Sequence, residues 1–317
     1  MKSWFWIGLK AIAFGVLLSP QISDAGSQKR LGQAVLSVLK VDHGARTAGM
    51  GGAFVAVADD INTIFVNPAG LTRIAKAEYT LSYTRWLVDS RFYSGALAHN
   101  TRMGVLGLSV MAYSLPKTEE TTIFQPLGTG RQLDAGDVSI GVSYARKMTD
   151  KLSFGAQVRW TQETLDQDRF SSVDVNLGTT FHTGFKSLRM GMGFYNLGKD
   201  LRILAIDYQL PVMFKFAFAM EILGKQGGDT YLTVTGENQY ATDFAEPQYR
   251  LGGELWFKNS LALRGGYKFN YDLETYSLGA GVKFHPVKRS EVRADFAYSN
   301  FGYKFDAPLR FSLSGSF

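Results

Sequence analysis

The residues that could do chemistry are few, and most fall in one stretch near the N-terminus. Gly49-Met50-Gly51-Gly52 is open enough for backbone to approach a phosphate. A dinucleotide loop, however, needs its full glycine spacing between a strand and a helix, and this stretch has neither. Asp59 and Asp60 form a carboxylate pair, but adjacent side chains seldom converge on one substrate atom. Capping a short helix that runs toward Phe65, or pairing with arginine, suits them better. His43, His99, His182 and His285 are scattered without metal-ligand spacing. The chain has no cysteine, which removes thiolate metal sites and disulfides, and it has no Gly-x-Ser-x-Gly nucleophile elbow. The sequence therefore nominates no catalytic residue, no metal site and no cofactor, and it reads as a non-enzyme.

The elements around these residues are strands. With 34 Gly, 23 Phe and 15 Tyr against 8 Pro in 317 residues, the composition suits many strands joined by tight turns and banded by aromatic rings. No apolar run of about 20 residues, the length of a helical span, follows the N-terminus. Residues 1–25 read as a cleaved signal peptide: Lys2 and Lys10 supply charge, Ala11 to Leu18 is apolar, and Ser23 and Ala25 suit a cleavage site. The net charge of +6 is spread along the chain without a polybasic tract. It reads as solvated surface or lipid-headgroup contact and not as a nucleic-acid footprint.

From about residue 77 onward, segments of roughly 9–13 residues alternate apolar and polar, the length at which a tilted strand crosses a bilayer. Val138, Ile140, Val142 and Tyr144 share one face against Ser139, Gly141 and Ser143. Leu261, Leu263, Tyr267 and Phe269 oppose Arg264, Gly266 and Lys268. The pattern predicts about 14 strands at 77–87, 91–99, 102–114, 135–147, 151–163, 171–183, 187–197, 211–222, 230–240, 248–257, 260–269, 275–285, 290–300 and 309–317. Even-numbered connections are tight and odd-numbered ones mostly longer, which is the habit of an outer-membrane barrel. The fold class is all-β: a transmembrane antiparallel β-barrel over 76–317, preceded by a segment over 26–75 that lacks strand alternation. Phe311, Leu313 and Phe317 lie on the apolar face of the last strand, resembling the signal by which outer-membrane assembly machinery recognises its substrates.

The segment Val41 to Leu71 carries four short motifs in tight order: Gly44-Ala45-Arg46, Ala48-Gly49-Met50-Gly51-Gly52-Ala53-Phe54, Val57-Ala58-Asp59-Asp60 and Asn67-Pro68-Ala69-Gly70-Leu71. Over these roughly 30 residues the chain resembles the PorV/PorQ family, within the wider FadL-like superfamily of outer-membrane barrels; elsewhere it agrees in architecture. The resemblance implies an N-terminal plug, or hatch, inside the barrel. Gly49, Gly51 and Gly52 suit close approach to the wall, and Asn67-Pro68 sets a turn. Inward glycines such as Gly155, Gly178, Gly191 and Gly193 either leave room for that plug or ease strand curvature.

Between the third and fourth strands, Ser114 to Gly136 is either a polar surface loop or, through Ile123, Phe124 and Leu127, an outer contact patch for a ligand or partner. The PorV/PorQ resemblance implies an accessory of type IX secretion in the outer membrane, with secretion components and exported cargo as partners. The wider superfamily implies passive uptake of a hydrophobic small molecule. The motif match favours the first of these. Outer-membrane lipid is a partner in both readings, and nucleic acid in neither.

Overall fold

A computed structural model describes residues 34–203, 206–243, 246–287, 290–303 and 305–317. The signal-peptide residues, 1–25, lie outside the described residues. Fourteen strands form one closed antiparallel barrel. They are β1 (Ala77–Arg85), β2 (Arg91–Thr101), β3 (Gly104–Ser114), β4 (Ala135–Lys147), β5 (Leu152–Leu165), β6 (Asp168–His182) and β7 (Arg189–Gly198). The ring continues through β8 (Met213–Leu223), β9 (Tyr231–Ala241), β10 (Gln248–Phe257), β11 (Leu261–Phe269), β12 (Tyr276–Val287), β13 (Ser290–Ser299) and β14 (Leu309–Ser316). Each strand pairs with its sequence neighbour, and β14 closes on β1 with Leu81 opposite Leu313 and Tyr79 opposite Gly315. Closure gives every strand of the ring a paired neighbour on each side.

The facing of the side chains follows the period-two pattern. Val142 is 58% exposed and its neighbour Ser143 is 0% exposed. Leu261, Leu263, Tyr267 and Phe269 are exposed, whereas Arg264 is buried. Polar and charged side chains therefore line the interior, and apolar ones form the outer surface.

Strand boundaries shift by up to three residues from the sequence expectation, and three places show why. The first strand stops at Arg85, two residues early, because Leu87–Asp89 forms a 3-10 turn with Val88 at φ 53°. There Trp86 turns edge-on against Phe92 and Phe301. The second strand runs on to Thr101, where the Thr101 hydroxyl donates to the Gly104 carbonyl and closes the turn. The third odd connection, expected over 164–170, is a two-residue hairpin. Pairing extends to Leu165–Asp168, and Asp166 sits at φ 58°, a conformation aspartate tolerates better than most residues.

Residues 43–74 lie within the ring, touching the inward faces of strands all the way round it. The helix α1 (Ala45–Gly49) packs on β11 to β14, a 3-10 turn at Ile61–Phe65 packs on β1 to β3, and a second at Pro68–Arg73 packs on β3 to β6. Inward wall residues are small where this backbone comes closest. A Cβ at Gly155 would sit 2.3 Å from the Ala69 nitrogen, and one at Gly178 would sit 2.1 Å from Asn67 Oδ1. Gly191 meets the Val55 carbonyl in the same way, but Gly193 meets Tyr195 and Leu177 of the wall itself.

An arginine on the outward face tests the facing. Val142→Arg should cost about 2–4 kcal/mol in urea unfolding from lipid vesicles if Val142 sits near the bilayer midplane. A change near zero would mean that this face does not meet lipid.

Candidate functional site

Arg46 is the centre of the interior. It projects from α1 and is 3% exposed. Its Nε and Nη2 donate to the two carboxylate oxygens of Glu254 on β10 at 2.8 and 2.6 Å. Its Nη1 donates to Asp59 at 2.6 Å and to Asp60 at 2.8 Å. The chain of charges then continues into the wall. Asp60 accepts from Arg293, whose Nε donates to Asp295 at 2.8 Å. Arg264 Nε donates to Glu254 at 2.7 Å. Arg264 Nη1 also lies 2.8 Å from Asp295 Oδ1, a charge contact outside hydrogen-bond geometry. Three guanidiniums and four carboxylates thus tie the N-terminal segment to β10, β11 and β13. Burial works against the charge on Asp60, but Arg293 and Arg46 more than offset it and hold its pKa below the usual carboxylate range.

The backbone around Arg46 is shaped to deliver it. Gly44 precedes α1 at φ 81°, and Gly51 and Gly52 follow at 67° and 77°, conformations that favour glycine. The segment thereby reverses within a few residues, and Gly49 comes to rest against the backbone of Gly279. The Gly52 carbonyl accepts from Arg250 at 3.2 Å. Arg250 also reaches Asp42 at 3.0 Å, and Lys268 reaches Asp42 at 2.8 Å. Burial raises the Asp42 pKa, but these two cations outweigh it and hold the carboxyl below its usual range. Glu237 accepts from the Phe54 and Val55 amides, both at 3.2 Å.

Asn67 is the second pin. It is fully buried and caps the 3-10 turn at Pro68–Arg73, with its Oδ1 accepting from the Ala69 amide at 3.1 Å. Its Nδ2 donates to the Val55 carbonyl at 2.9 Å and to the Thr179 carbonyl of β6 at 3.0 Å. One side chain thus joins two parts of the segment to the wall. Asp60 caps the preceding turn through the Asn62 amide at 2.9 Å. The structure brings Arg46, Asp59 and Asp60 together, places Asn67, Pro68 and Ala69 against β5 and β6, and sets the glycines between these two anchors.

The remaining sequence candidates lie elsewhere. Ile123, Phe124 and Leu127 stand almost wholly exposed at the tip of the β3–β4 loop. A short ribbon pairing Thr118–Glu119 with Gln132–Leu133 raises that tip, and Arg131 braces it against Glu120 and Asp166. Phe311, Leu313 and Phe317 face outward, with the Phe317 ring 6.3 Å from Tyr79. Sequence reasoning missed Glu254 and Arg293 as partners of the segment, and Asp295 as the carboxylate that links Arg264 to Arg293. Their signal was a charge on the inward face of an otherwise amphipathic strand.

Two spaces adjoin the segment. A cavity of about 20 Å³ inside the barrel is lined by Asp42, His43, Phe65, Arg159, Tyr195 and Lys215; that is room for about one water. A cleft of about 700 Å³ opens at the wall beside Val173, Leu197, Gly198, Leu201 and Val212. Here the ladder is broken. β7 pairs with β8 only as far as Tyr195–Met213. It then slips register against β6 between Val175 and Leu177, with Asn196 at φ 60°. Leu201 lines the cleft and also packs on a buried apolar cluster of Leu36, Leu39, Met111 and Leu210. The residues that begin the described segment thus lie next to the cleft.

Residues 13–198 match the model of an uncharacterised protein family, UPF0164. The chain belongs to that family. No curated protein matches it. Among solved structures, this UPF0164 chain is similar to the toluene transporter TbuX of Ralstonia pickettii, at 13% identity and a TM-score of 0.61 over 86% of this chain and 97% of that one. The Pseudomonas putida toluene transporter TodX is similar at 11% identity and a TM-score of 0.60, with the same coverage. A Pseudomonas aeruginosa FadL homologue follows at 12% and 0.52, again over 86% and 97%. At these identities the likeness is one of fold.

Two predictions test the anchors. Arg46→Met leaves three carboxylates without their central cation and should destabilise the folded chain by about 3–5 kcal/mol, read by urea unfolding in detergent. Arg46→Lys should not restore it, because one ammonium cannot replace the two-pronged contact with Glu254. Asn67→Ala should raise leakage of small solutes from proteoliposomes; unchanged leakage in a correctly inserted variant would assign the motif to assembly.

Acid should act through His43, whose pKa burial pushes down to about 3 from 6.5. A depressed folded value means that the unfolded chain takes up the proton first. Stability from this group is therefore complete above pH 6.5 and is lost as pH falls toward 3, at up to about 1.4 kcal/mol per pH unit. His43→Phe should flatten unfolding free energy between pH 6.5 and 4. A slope equal to that of the parent would contradict this.

Proposed function

We propose that this chain is an outer-membrane barrel that passively admits a hydrophobic small molecule, with the segment over 26–75, of which 26–33 lie outside the described residues, acting as the plug. No bond is made or broken; the work is capture, positioning and gating. The observation that carries the reading is the cleft at the broken β6–β7–β8 ladder, because Leu201 lines it and also packs on the Leu36, Leu39 and Leu210 cluster. An apolar molecule moving inward through it would meet the start of the plug first. The outward apolar surface supports a membrane location, and the fold shared with TbuX and TodX, themselves toluene transporters by name, is in keeping with such a role.

A PorV/PorQ-like role in type IX secretion is the second reading. Its support is the motif run from Gly44 to Leu71 together with the raised tip bearing Ile123, Phe124 and Leu127, which offers apolar contact area to a secretion component or exported cargo. The interior, filled by hydrogen-bonded segment, is equally compatible with a barrel whose working surface is outside.

A photoreactive alkyl or aryl probe separates the readings. On the first, labelling of the purified protein maps to 197–201 and 36–39, and Leu201→Asp cuts it by about tenfold or more, since an unpaired charge opposes apolar binding. Labelling confined to the outer belt, with type IX components co-purifying, would instead favour the second.

A further inference from the structure

We propose that the tight-turn rim of the barrel is a docking collar for the anionic phospholipid headgroups of the leaflet it meets. The inference rests on the chain being a membrane barrel and adds which lipid chemistry its rim recognises. At four turns of this rim an exposed cation stands beside an exposed apolar side chain. Arg102 adjoins Met103 between β2 and β3, and Lys147 adjoins Met148 between β4 and β5. Lys186 lies 5.8 Å from the centre of the Phe185 ring between β6 and β7. Lys258 follows Phe257 between β10 and β11.

None of these four cations forms an ion pair among the described residues; the exposed acids on the same rim are Asp150 and Asp229, and the half-buried Glu291 is paired with Lys283 and His285. The opposite rim differs. There Arg85 is paired with Asp89, and Arg131 with Glu120 and Asp166, and the exposed Arg91, Arg169, Lys199 and Arg202 stand among exposed acids. Carboxylates such as Asp168, Asp207 and Asp272 stand exposed around them.

The two rims thus meet different electrostatic surroundings. A cation near an anionic lipid surface is worth about fivefold in affinity, and its apolar neighbour enters the acyl boundary where Met and Phe lose water. The cations are spread around a ring from β2 to β11 and are not gathered on one face. A lipid annulus fits that spread, and a single acidic protein footprint does not.

Refolding of the urea-unfolded full chain tests the collar, followed by the heat-dependent gel shift of a closed barrel. The vesicles are phosphatidylcholine alone or phosphatidylcholine mixed with phosphatidylglycerol. Folding should be about fivefold faster or more with phosphatidylglycerol. High salt should erase that advantage, as should the combined variant R102Q/K147Q/K186Q/K258Q, while the variant still folds into neutral vesicles. Equal rates for the parent in both vesicles overturn the collar and leave the barrel reading intact, as does an advantage that survives in the variant. Absence of a lipid advantage with variant-sensitive capture on polyglutamate overturns it in favour of an acidic protein partner. Failure to enter either vesicle overturns the collar and the barrel reading together.

Discussion

Arg46 carries a charge into a space nearly closed to water, and much of the interior is arranged around that fact. Transferring a guanidinium from water is costly unless every direction in which it can donate finds an acceptor. Here Glu254 takes two of its hydrogen bonds and Asp59 and Asp60 take the others. Those carboxylates bring their own desolvation, which Arg264 and Arg293 answer from the wall. The result is a network in which no member can leave alone. Its value lies less in net stability than in specifying one position of the segment inside the barrel, because any other position strands a charge.

Wall and segment are complementary in shape as well as in charge. Inward positions are occupied by glycine or small polar residues where the segment passes closest, as at Gly155 and Gly178. They are occupied by Arg, Glu or Asp where it presents ionic groups. Outward positions carry the bulk. The two ends of the segment are held differently. Around Arg46 and Asn67 the hold is directional hydrogen bonding, whereas Leu36 and Leu39 are held by apolar contact, with Lys40 paired to Asp243 at 2.5 Å. Apolar contact has no strict geometry, so another hydrophobic surface can replace the Leu36 and Leu39 contacts while the Lys40–Asp243 pair and the Val35–Gln209 backbone bond hold. The end beside the wall cleft is therefore the one a hydrophobic molecule can compete for.

Much of this was legible in the sequence. Alternation located each barrel strand and its facing, because a one-residue slip would have turned Arg264 or Arg159 onto the apolar outer surface. The carboxylates Asp59 and Asp60 were readable as caps or arginine partners, since no other use suits adjacent acids. Which arginines they meet was not readable. Glu254 and Arg293 are far from them in sequence, and their convergence depends on closure and on the register of β10 and β13. The break at Asn196 was hidden for a related reason. Its left-handed conformation follows from the Asn176 side chain accepting its amide at 2.7 Å and from the Pro211 carbonyl accepting its own side chain, contacts that no local pattern announces. The short hairpin at Asp166 was missed because the polar run Gln162 to Arg169 resembles a loop until its partner strand is known.

Everything above depends on residues 43–74 being a fixed, hydrogen-bonded filling of the barrel. Hydrogen exchange on the purified chain in detergent micelles, resolved by peptide, tests this most directly. Amides from Ala45 to Leu71 should exchange as slowly as those of β4 and β5, and the β3–β4 loop should exchange fast. Exchange over that stretch at the rate of a free peptide, with the strands still protected, would contradict it.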